Sequence, residues 1–452
     1  MTPIGLDAVT RALHGITVIT DPNVVRVKSK DFYWYSPVLK RKLADKVGDV
    51  VVCPRTEEDV VRVARACVEA KVPLTVRGAG TGNYGQAVPL EGGVILDMTL
   101  MKAVKQLGPG MARVEAGLKL VDLDHEARRQ GWEIRMFPST KKTATVGGFI
   151  AGGSGGVGSV TYGQLRDRGN VNALRVVTME AEPRVLELRG DEVQKATHAY
   201  GTNGIITELE MPLGPAYAWV DSLVTFGDFM EAARFSQALG ESDGITKKLV
   251  TPMAWPVTTY FKRLTGIPAG AHSVITMVAE PSLEAFDALV RAHGGALAFR
   301  GPSEDFGRTP PLYEYTWNHT TLHAIQMDPA ITYLQALFPP GRNLELIEHM
   351  YRHFGDEVMM HLEFIRVAGK VTCSGLPLVR FTTEERLDEI IRYHEEQGVG
   401  IANPHTYILE DGGRKVINRE QLEFKRMVDP HGLLNPGKMR AWLDTSPAAL
   451  PG

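Results

Sequence analysis

The stretch from Thr145 to Gly158, Thr-Val-Gly-Gly-Phe-Ile-Ala-Gly-Gly-Ser-Gly-Gly-Val-Gly, limits what this chain can become more than any other. Seven of the twelve residues from Gly147 to Gly158 are glycine. So little side chain cannot build a core element of its own, and a loop is expected there. Glycine admits positive φ and lets a backbone press against something flat or charged. Successive amide N–H groups in such a loop form anion-binding concavities. A second glycine-rich loop, Arg77-Gly-Ala-Gly-Thr-Gly-Asn83, lies upstream. Two such loops point to one large, phosphate-bearing ligand.

Composition narrows the class of protein around that ligand. The chain has 452 residues, 44% hydrophobic and 23% charged, as in an ordinary globular enzyme of two or three domains. A net charge of −3 implies no broad basic surface for nucleic acid. Cys53, Cys67 and Cys373 are three in number and widely scattered, which argues against a disulfide framework and a cysteine-only zinc site. Met1 to Thr20 lacks an apolar run of signal-peptide length, and no stretch has the length and apolarity of a membrane span. A cytoplasmic protein is the expectation.

Four segments are expected in order: a leader over 1–49, a ligand-binding domain over 50–215, a second domain over 216–424 and a closing segment over 425–452. The leader carries an aromatic knot, Asp31-Phe-Tyr-Trp-Tyr-Ser-Pro37, suited to pack on a core or beside a planar ligand. Val50 to Cys53 reads as a strand stopped by Pro54. Thr56 and Asp59 form a capping-box-like start, and apolar residues at helical spacing predict a helix over 57–70. Leu74 to Arg77 is the next strand. A nicotinamide-type fingerprint would need G-x-G-x-x-G opening a helix. Here Asn83 stands at the third glycine position and Gly93 to Asp97 reads as a strand, so that reading is rejected. Further strands are expected over 111–117, 172–178 and 184–188, and 200–211 reads as a turn running into a strand, with Pro212 to Pro215 breaking the pattern. Beyond 216 the pattern predicts an antiparallel sheet backed by helices at 229–239, 283–293 and 384–397.

In this order and spacing, Arg77-Gly-Ala-Gly-Thr-Gly82, Gly92-Gly-Val-Ile-Leu-Asp97, Thr145-Val-Gly-Gly148, Tyr162-Gly163, Gly201-Thr-Asn-Gly-Ile-Ile-Thr-Glu208 and Asp429-Pro-His-Gly-Leu-Leu-Asn-Pro-Gly-Lys438 resemble the FAD-binding PCMH-type domain of the vanillyl-alcohol oxidase superfamily. The likeness is strongest to its glycolate oxidase and D-lactate dehydrogenase branch. It covers residues 50–212 and 425–439. The resemblance implies an α+β fold, with a two-part FAD domain and a substrate domain closing over the flavin ring.

It also implies a cofactor-contacting set. Gly78, Ala79, Gly80, Thr81, Gly82 and Asn83 would cradle the pyrophosphate beside Arg77. Pro138, Ser139, Thr145, Val146, Gly147 and Gly148 would line the ribityl chain and flavin. Gly152, Gly153, Gly155, Gly156 and Gly158 would let the backbone approach the cofactor. Gly204, Ile205 and Ile206 would flank the adenine, and Pro54, Tyr162, Asn435 and Lys438 complete the set. Some relatives tether FAD covalently through a histidine in the first loop. The matching position here is Thr81, so non-covalent FAD is expected.

The chain departs from the branch in its second half. The metal-binding G-D-G-N-L-H motif is missing, and of E-H-G-I-G only His405 matches, with Pro404 where the acid would stand. His361, Glu363 and His405 could replace that site, histidine and carboxylate being suitable ligands. A hydrogen-bonded polar wall is the favoured reading, and no metal is assigned. His405, His361 and Tyr407 are the candidates for a base, which needs hydrogen-bond reach first and a tuned pKa second. On a strand, Tyr313, Tyr315, Trp317 and His319 would share one face and could stack on an aromatic substrate. Arg366 and Arg380 could hold a carboxylate in bidentate fashion.

The expected activity is FAD-dependent oxidation of a hydroxyl-bearing carbon in a small molecule, a 2-hydroxy acid or an aryl or bulky alcohol, by hydride transfer to flavin N5. Oxygen, a quinone or a protein could reoxidise the flavin. Homo-oligomerisation stays open, and the alternative is a flavin-binding subunit of a larger complex.

Overall fold

The computed structural model describes residues 3–264, 266–303, 310–413 and 416–445. The fold is α+β. In the first sheet the strands run Thr17–Ile19, Val50–Cys53, Val94–Asp97, Leu74–Arg77, the last three parallel. The helix Glu57–Glu69 makes the crossover. It starts where expected, because the Thr56 side chain accepts the Asp59 amide while the Asp59 carboxylate accepts the Thr56 amide. Val60, Val63, Ala64 and Cys67 face the sheet and are buried with Val50, Val52, Leu74 and Leu96. The leader is part of this sheet through Thr17–Ile19, which pairs antiparallel with Val50–Cys53.

The second sheet is antiparallel, in the order Val104–Gly108, Met111–Glu115, Ile205–Pro215, Ala173–Val177, Val185–Arg189. Its long strand corrects the expected break at Pro212. Pro212 pairs with Met111, and Leu213 to Pro215 then pair with Trp132–Ile134. The chain changes partner there, and a proline is tolerated where its missing N–H is not called on.

The second half holds a sheet ordered Lys247–Met253, His272–Ala279, Trp219–Phe226, Ala296–Pro302, together with a three-stranded and a second four-stranded antiparallel sheet. The helices Phe229–Glu241, Leu283–Ala292 and Glu384–Glu396 back this half, as the sequence pattern requires. One apolar core runs through both halves: Val114, Phe137 and Ile150 share it with Leu249, Ile275 and Trp317. Among the described residues no helix is long and apolar enough to cross a membrane.

The closing segment returns to the first sheet. Leu74 N–H donates to Leu433 O at 2.9 Å, and Asn435 N–H to Leu74 O at 2.7 Å. The leader, the first-half strands and the closing segment therefore meet in the sheet that holds Leu74–Arg77.

Candidate active site

A cavity of about 690 Å³ lies where the two glycine-rich segments face the second half. That is within the ordinary size of a cofactor or ligand site. Its floor is the first glycine loop. Arg77 ends its strand and turns its guanidinium away from the cavity, donating to Lys28 O at 2.9 Å, Lys30 O at 2.6 Å and Ala79 O at 3.2 Å. The loop is braced from outside, while Gly78 to Asn83 line the cavity. Among the described residues the amide N–H groups of Ala79, Gly80, Thr81 and Gly82 meet no acceptor. Four successive amides left for a ligand suit a pyrophosphate.

The second glycine segment is not the loop that was expected. Val146–Gly152 is a short helix, and Thr145 caps it by accepting the Gly148 amide at 3.3 Å. Val146, Phe149 and Ile150 bury one face, and the glycines shape the rest. At Gly147 a Cβ would stand 2.6 Å from the Ala116 Cβ, so only glycine lets the helix lie this close to the second sheet. Thr145, Gly147, Gly148, Gly152, Gly153 and Gly155 line the cavity. Gly156 and Gly158 do not: a Cβ on either would run into the backbone of Phe137 or Arg135, so they serve a close chain crossing. Pro138, Ser139, Gly204 and Ile206 line the cavity, whereas Pro54, Val146, Tyr162 and Ile205 lie off it. Ile205 belongs to the core beneath the first sheet, and Tyr162 lies under Arg135.

Asn435 and Lys438 act on the loop from behind. Lys438 Nζ donates to Gly85 O, to Gln86 O at 3.3 Å and to Val88 O at 2.9 Å. Asn435 Nδ2 donates to Gln86 O at 2.9 Å and Tyr200 O at 2.5 Å. Asp31, on the cavity wall, accepts the Tyr33 and Ala87 amides. Burial raises its pKa to about 6 against the pull of Lys438, and burial lowers Lys438 to about 7 against the pull of Asp31.

The opposite wall comes from the second half. The segment Tyr313 to His319 is a 3-10 turn, Leu312–Tyr315, followed by the helix Asn318–Met327, so the expected one-sided strand face is corrected. Trp317 and His319 line the cavity, with Leu337, Ile365 and Leu376 beside them. Tyr313 packs edge-on against Phe137, and Tyr315 stacks on His323, both away from the cavity. Trp317 sits at φ 51°, ψ −141°, a conformation a bulky side chain rarely adopts. Its amide donates to Glu363 Oε1 at 2.5 Å.

His361, His405 and Tyr407 do not meet, and none lines the cavity. His361 is fully buried, with Nε2 2.9 Å from Glu363 Oε1 and Nδ1 3.1 Å from Leu376 O. Glu363 also accepts the Thr251 hydroxyl at 2.5 Å. His405 is held by Ser36 Oγ at 2.8 Å and Tyr333 O at 2.9 Å, and burial lowers its pKa to about 4. Tyr407 packs by Leu43 and Gly85. Arg366 pairs with Asp243 and Arg380 with Asp328, both outside the cavity. Among the described residues no group of three histidine, cysteine, aspartate or glutamate side chains has the geometry to hold a metal.

Several lining residues carried no motif. Gln335 bridges the two halves, accepting from the Tyr84 hydroxyl and donating to Ser154 Oγ at 3.2 Å. Arg166, Tyr200 and Ser374 line the cavity as well. Tyr200 precedes the Gly201 turn, the one local signal that could have marked any of them.

The chain is similar to known flavoproteins in sequence and in fold. The model of the FAD binding domain matches residues 48–187. A D-lactate dehydrogenase of Anaerostipes hadrus is 28% identical over 436 residues, covering 86% of this chain and 89% of that protein. The glycolate oxidase subunit GlcD of Bacillus subtilis is 28% identical over 247 residues, half of each chain. In fold, an alkyldihydroxyacetonephosphate synthase superposes with TM-score 0.73 at 15% identity, over 96% of this chain and 86% of that one. The 4-ethylphenol oxidase of Gulosibacter chungangensis does so with 0.70 at 18%, over 97% of each.

Residues 48–187 thus match an FAD binding domain, and the fold is the one seen in the 4-ethylphenol oxidase. The chain is an FAD-dependent oxidoreductase related to D-lactate dehydrogenases and glycolate oxidase subunits, in the class of oxidases and dehydrogenases acting on CH–OH donors.

Proposed function

We propose that this protein oxidises a small-molecule 2-hydroxy acid at its hydroxyl-bearing carbon. Bound FAD supplies the two-electron acceptor, and the protein supplies orientation and electrostatics. The observation that carries the reading is the shared cavity, with a free amide row on one wall and Trp317 and His319 on the other. Ala79 to Gly82 hold the cofactor's phosphates. The apolar wall of Trp317, Leu337, Ile365 and Leu376 keeps water from the reacting carbon.

His319 takes the hydroxyl proton. It is the imidazole beside Trp317 on that wall, and burial lowers its pKa, keeping it neutral and able to accept. Arg166, which lines the same cavity, meets the donor's carboxylate in this reading. The names of the D-lactate dehydrogenase and glycolate oxidase relatives support a 2-hydroxy acid. The aromatic face of Trp317 favours an aryl or bulky alcohol as the second reading. Thr81 carries no group that tethers flavin, so FAD is held without a covalent link. The free thiols Cys53, Cys67 and Cys373 suit a reducing compartment such as the cytoplasm.

Anaerobic visible spectroscopy of the holoprotein against D-lactate, glycolate and benzyl alcohol tests this. Bleaching of bound flavin by a hydroxy acid is expected. Bleaching by benzyl alcohol alone selects the second reading. A yellow protein that no donor bleaches contradicts both and favours a flavin-binding subunit of a larger complex.

A further inference from the structure

Three polar side chains run in a row from the surface to the cavity. The Lys142 ammonium is 2.6 Å from Glu314 Oε1, and Glu314 Oε2 is 3.8 Å from His319 Nδ1. Side-chain exposure falls along the row, from 59% at Lys142 through 23% at Glu314 to 14% at His319. Local structure explains the alignment. Glu314 sits on the 3-10 turn Leu312–Tyr315, directly before the helix that carries His319. His323 follows one helical turn after His319, and its Nε2 lies 3.2 Å from the Glu314 carbonyl. A surface lysine–glutamate pair alone contributes little. What sets this pair apart is the imidazole of a cavity wall on its inner side.

We propose that Glu314 is a positioning residue of the donor-oxidising site: it orients His319, accepts the proton that His319 takes from the donor hydroxyl, and releases it to solvent beside Lys142. This rests on the reading of His319 as the base. The donor O–H bond breaks and an N–H bond forms at one imidazole nitrogen. The 3.8 Å between Nδ1 and Oε2 closes to hydrogen-bond distance in the donor complex, the Nδ1 proton passes to Glu314 Oε2, the carboxyl group gives it to water, and the carboxylate returns. The donor's C–H hydrogen leaves with its two electrons to FAD, so the products are a carbonyl compound, reduced FAD and one proton in water.

The charges around His319 set opposite signs for two variants. Burial lowers its pKa, Glu314 opposes that, and His323 and Lys142 reinforce it; His323 in turn feels Arg263. Removing the Glu314 charge therefore moves the His319 midpoint to lower pH, and removing the Lys142 charge moves it to higher pH.

The test uses the holoenzyme and whichever of D-lactate, glycolate and benzyl alcohol bleaches it. The rate of anaerobic flavin reduction is followed against pH for wild type, Glu314→Gln, Glu314→Asp and Lys142→Met. The His319 imidazole is titrated separately by NMR on ring-labelled protein, assigned with His319→Asn. Glu314→Gln is expected to slow reduction at least tenfold and shift both the acid limb and the imidazole midpoint down. Lys142→Met is expected to shift both up, and Glu314→Asp to recover part of the rate. If Glu314→Gln is reduced at the wild-type rate, or the His319 midpoint is unmoved in both variants, the proposal is wrong while the functional reading stands. A wild type bleached by no donor, or a His319→Asn variant bleached as fast as wild type, removes the reading and the proposal together.

Discussion

The Glu363 carboxylate accepts the backbone amide of Trp317 at 2.5 Å, and so fixes an aromatic cavity wall to a sheet. The same carboxylate accepts from Thr251 and from His361, both buried. Three separate stretches of chain thus converge on one buried acid, and Trp317 is held in its strained conformation by that convergence.

Glu363→Ala leaves a hydroxyl, an amide and an imidazole without their shared acceptor. A loss of about 3–5 kcal/mol is expected, the usual cost of breaking a buried charged network. Glu363→Gln keeps an acceptor oxygen and costs less. Urea unfolding of the two variants measures this, and an alanine variant within about 1 kcal/mol of wild type would contradict it.

Lys438→Met removes the donor shared by the Gly85, Gln86 and Val88 carbonyls and leaves Asp31 without its buried cation. The segment after the pyrophosphate loop loosens, so flavin should be retained less well. Equilibrium dialysis should show FAD affinity down at least tenfold. Unchanged affinity would show that Lys438 does not support the loop.

His405 introduces a pH dependence of stability. Its folded pKa, about 4, lies below its ordinary 6.5, so the unfolded chain binds the extra proton first. Full stability is present above pH 6.5, and about 3 kcal/mol is lost as the pH falls from there to about 4. His405→Gln should flatten that part of the curve of unfolding free energy against pH. Parallel curves for the two proteins would assign the slope to other groups.

FAD should leave the protein on denaturation. Thr81 lines the cavity and carries no imidazole, and FAD is held without a covalent link in the proposed function. Acid precipitation is expected to give a yellow supernatant and a colourless pellet. A yellow pellet would mean a bond from another residue.

The sequence made the first half legible because its determinants are local. The Thr56–Asp59 box, the strand before Gly78 and the adjoining glycines each act within a few residues, and each lies where expected. The helix Val146–Gly152 was missed because glycine content argues against helix, whereas contact with Ala116 decides it. The histidines of the second half were less legible still. His405 is set by Ser36, 369 residues away, and by Tyr333. His361 is set by Glu363 together with Leu376. No spacing rule reveals that such an imidazole faces inward to structural partners while His319 faces a cavity.

The clasp by which Lys438 and Asn435 hold the segment behind the pyrophosphate loop has a consequence for synthesis. Lys438 follows Gly85 by 353 residues, and Asn435 follows Tyr200 by 235. A ribosome therefore delivers the pyrophosphate loop long before the side chains that brace the segment behind it. N-terminal regions fold first during translation, yet the nascent first half waits without its brace until Asn435 and Lys438 emerge. Stable cofactor retention is expected only once the clasp has formed, and a product truncated ahead of it should not stay yellow.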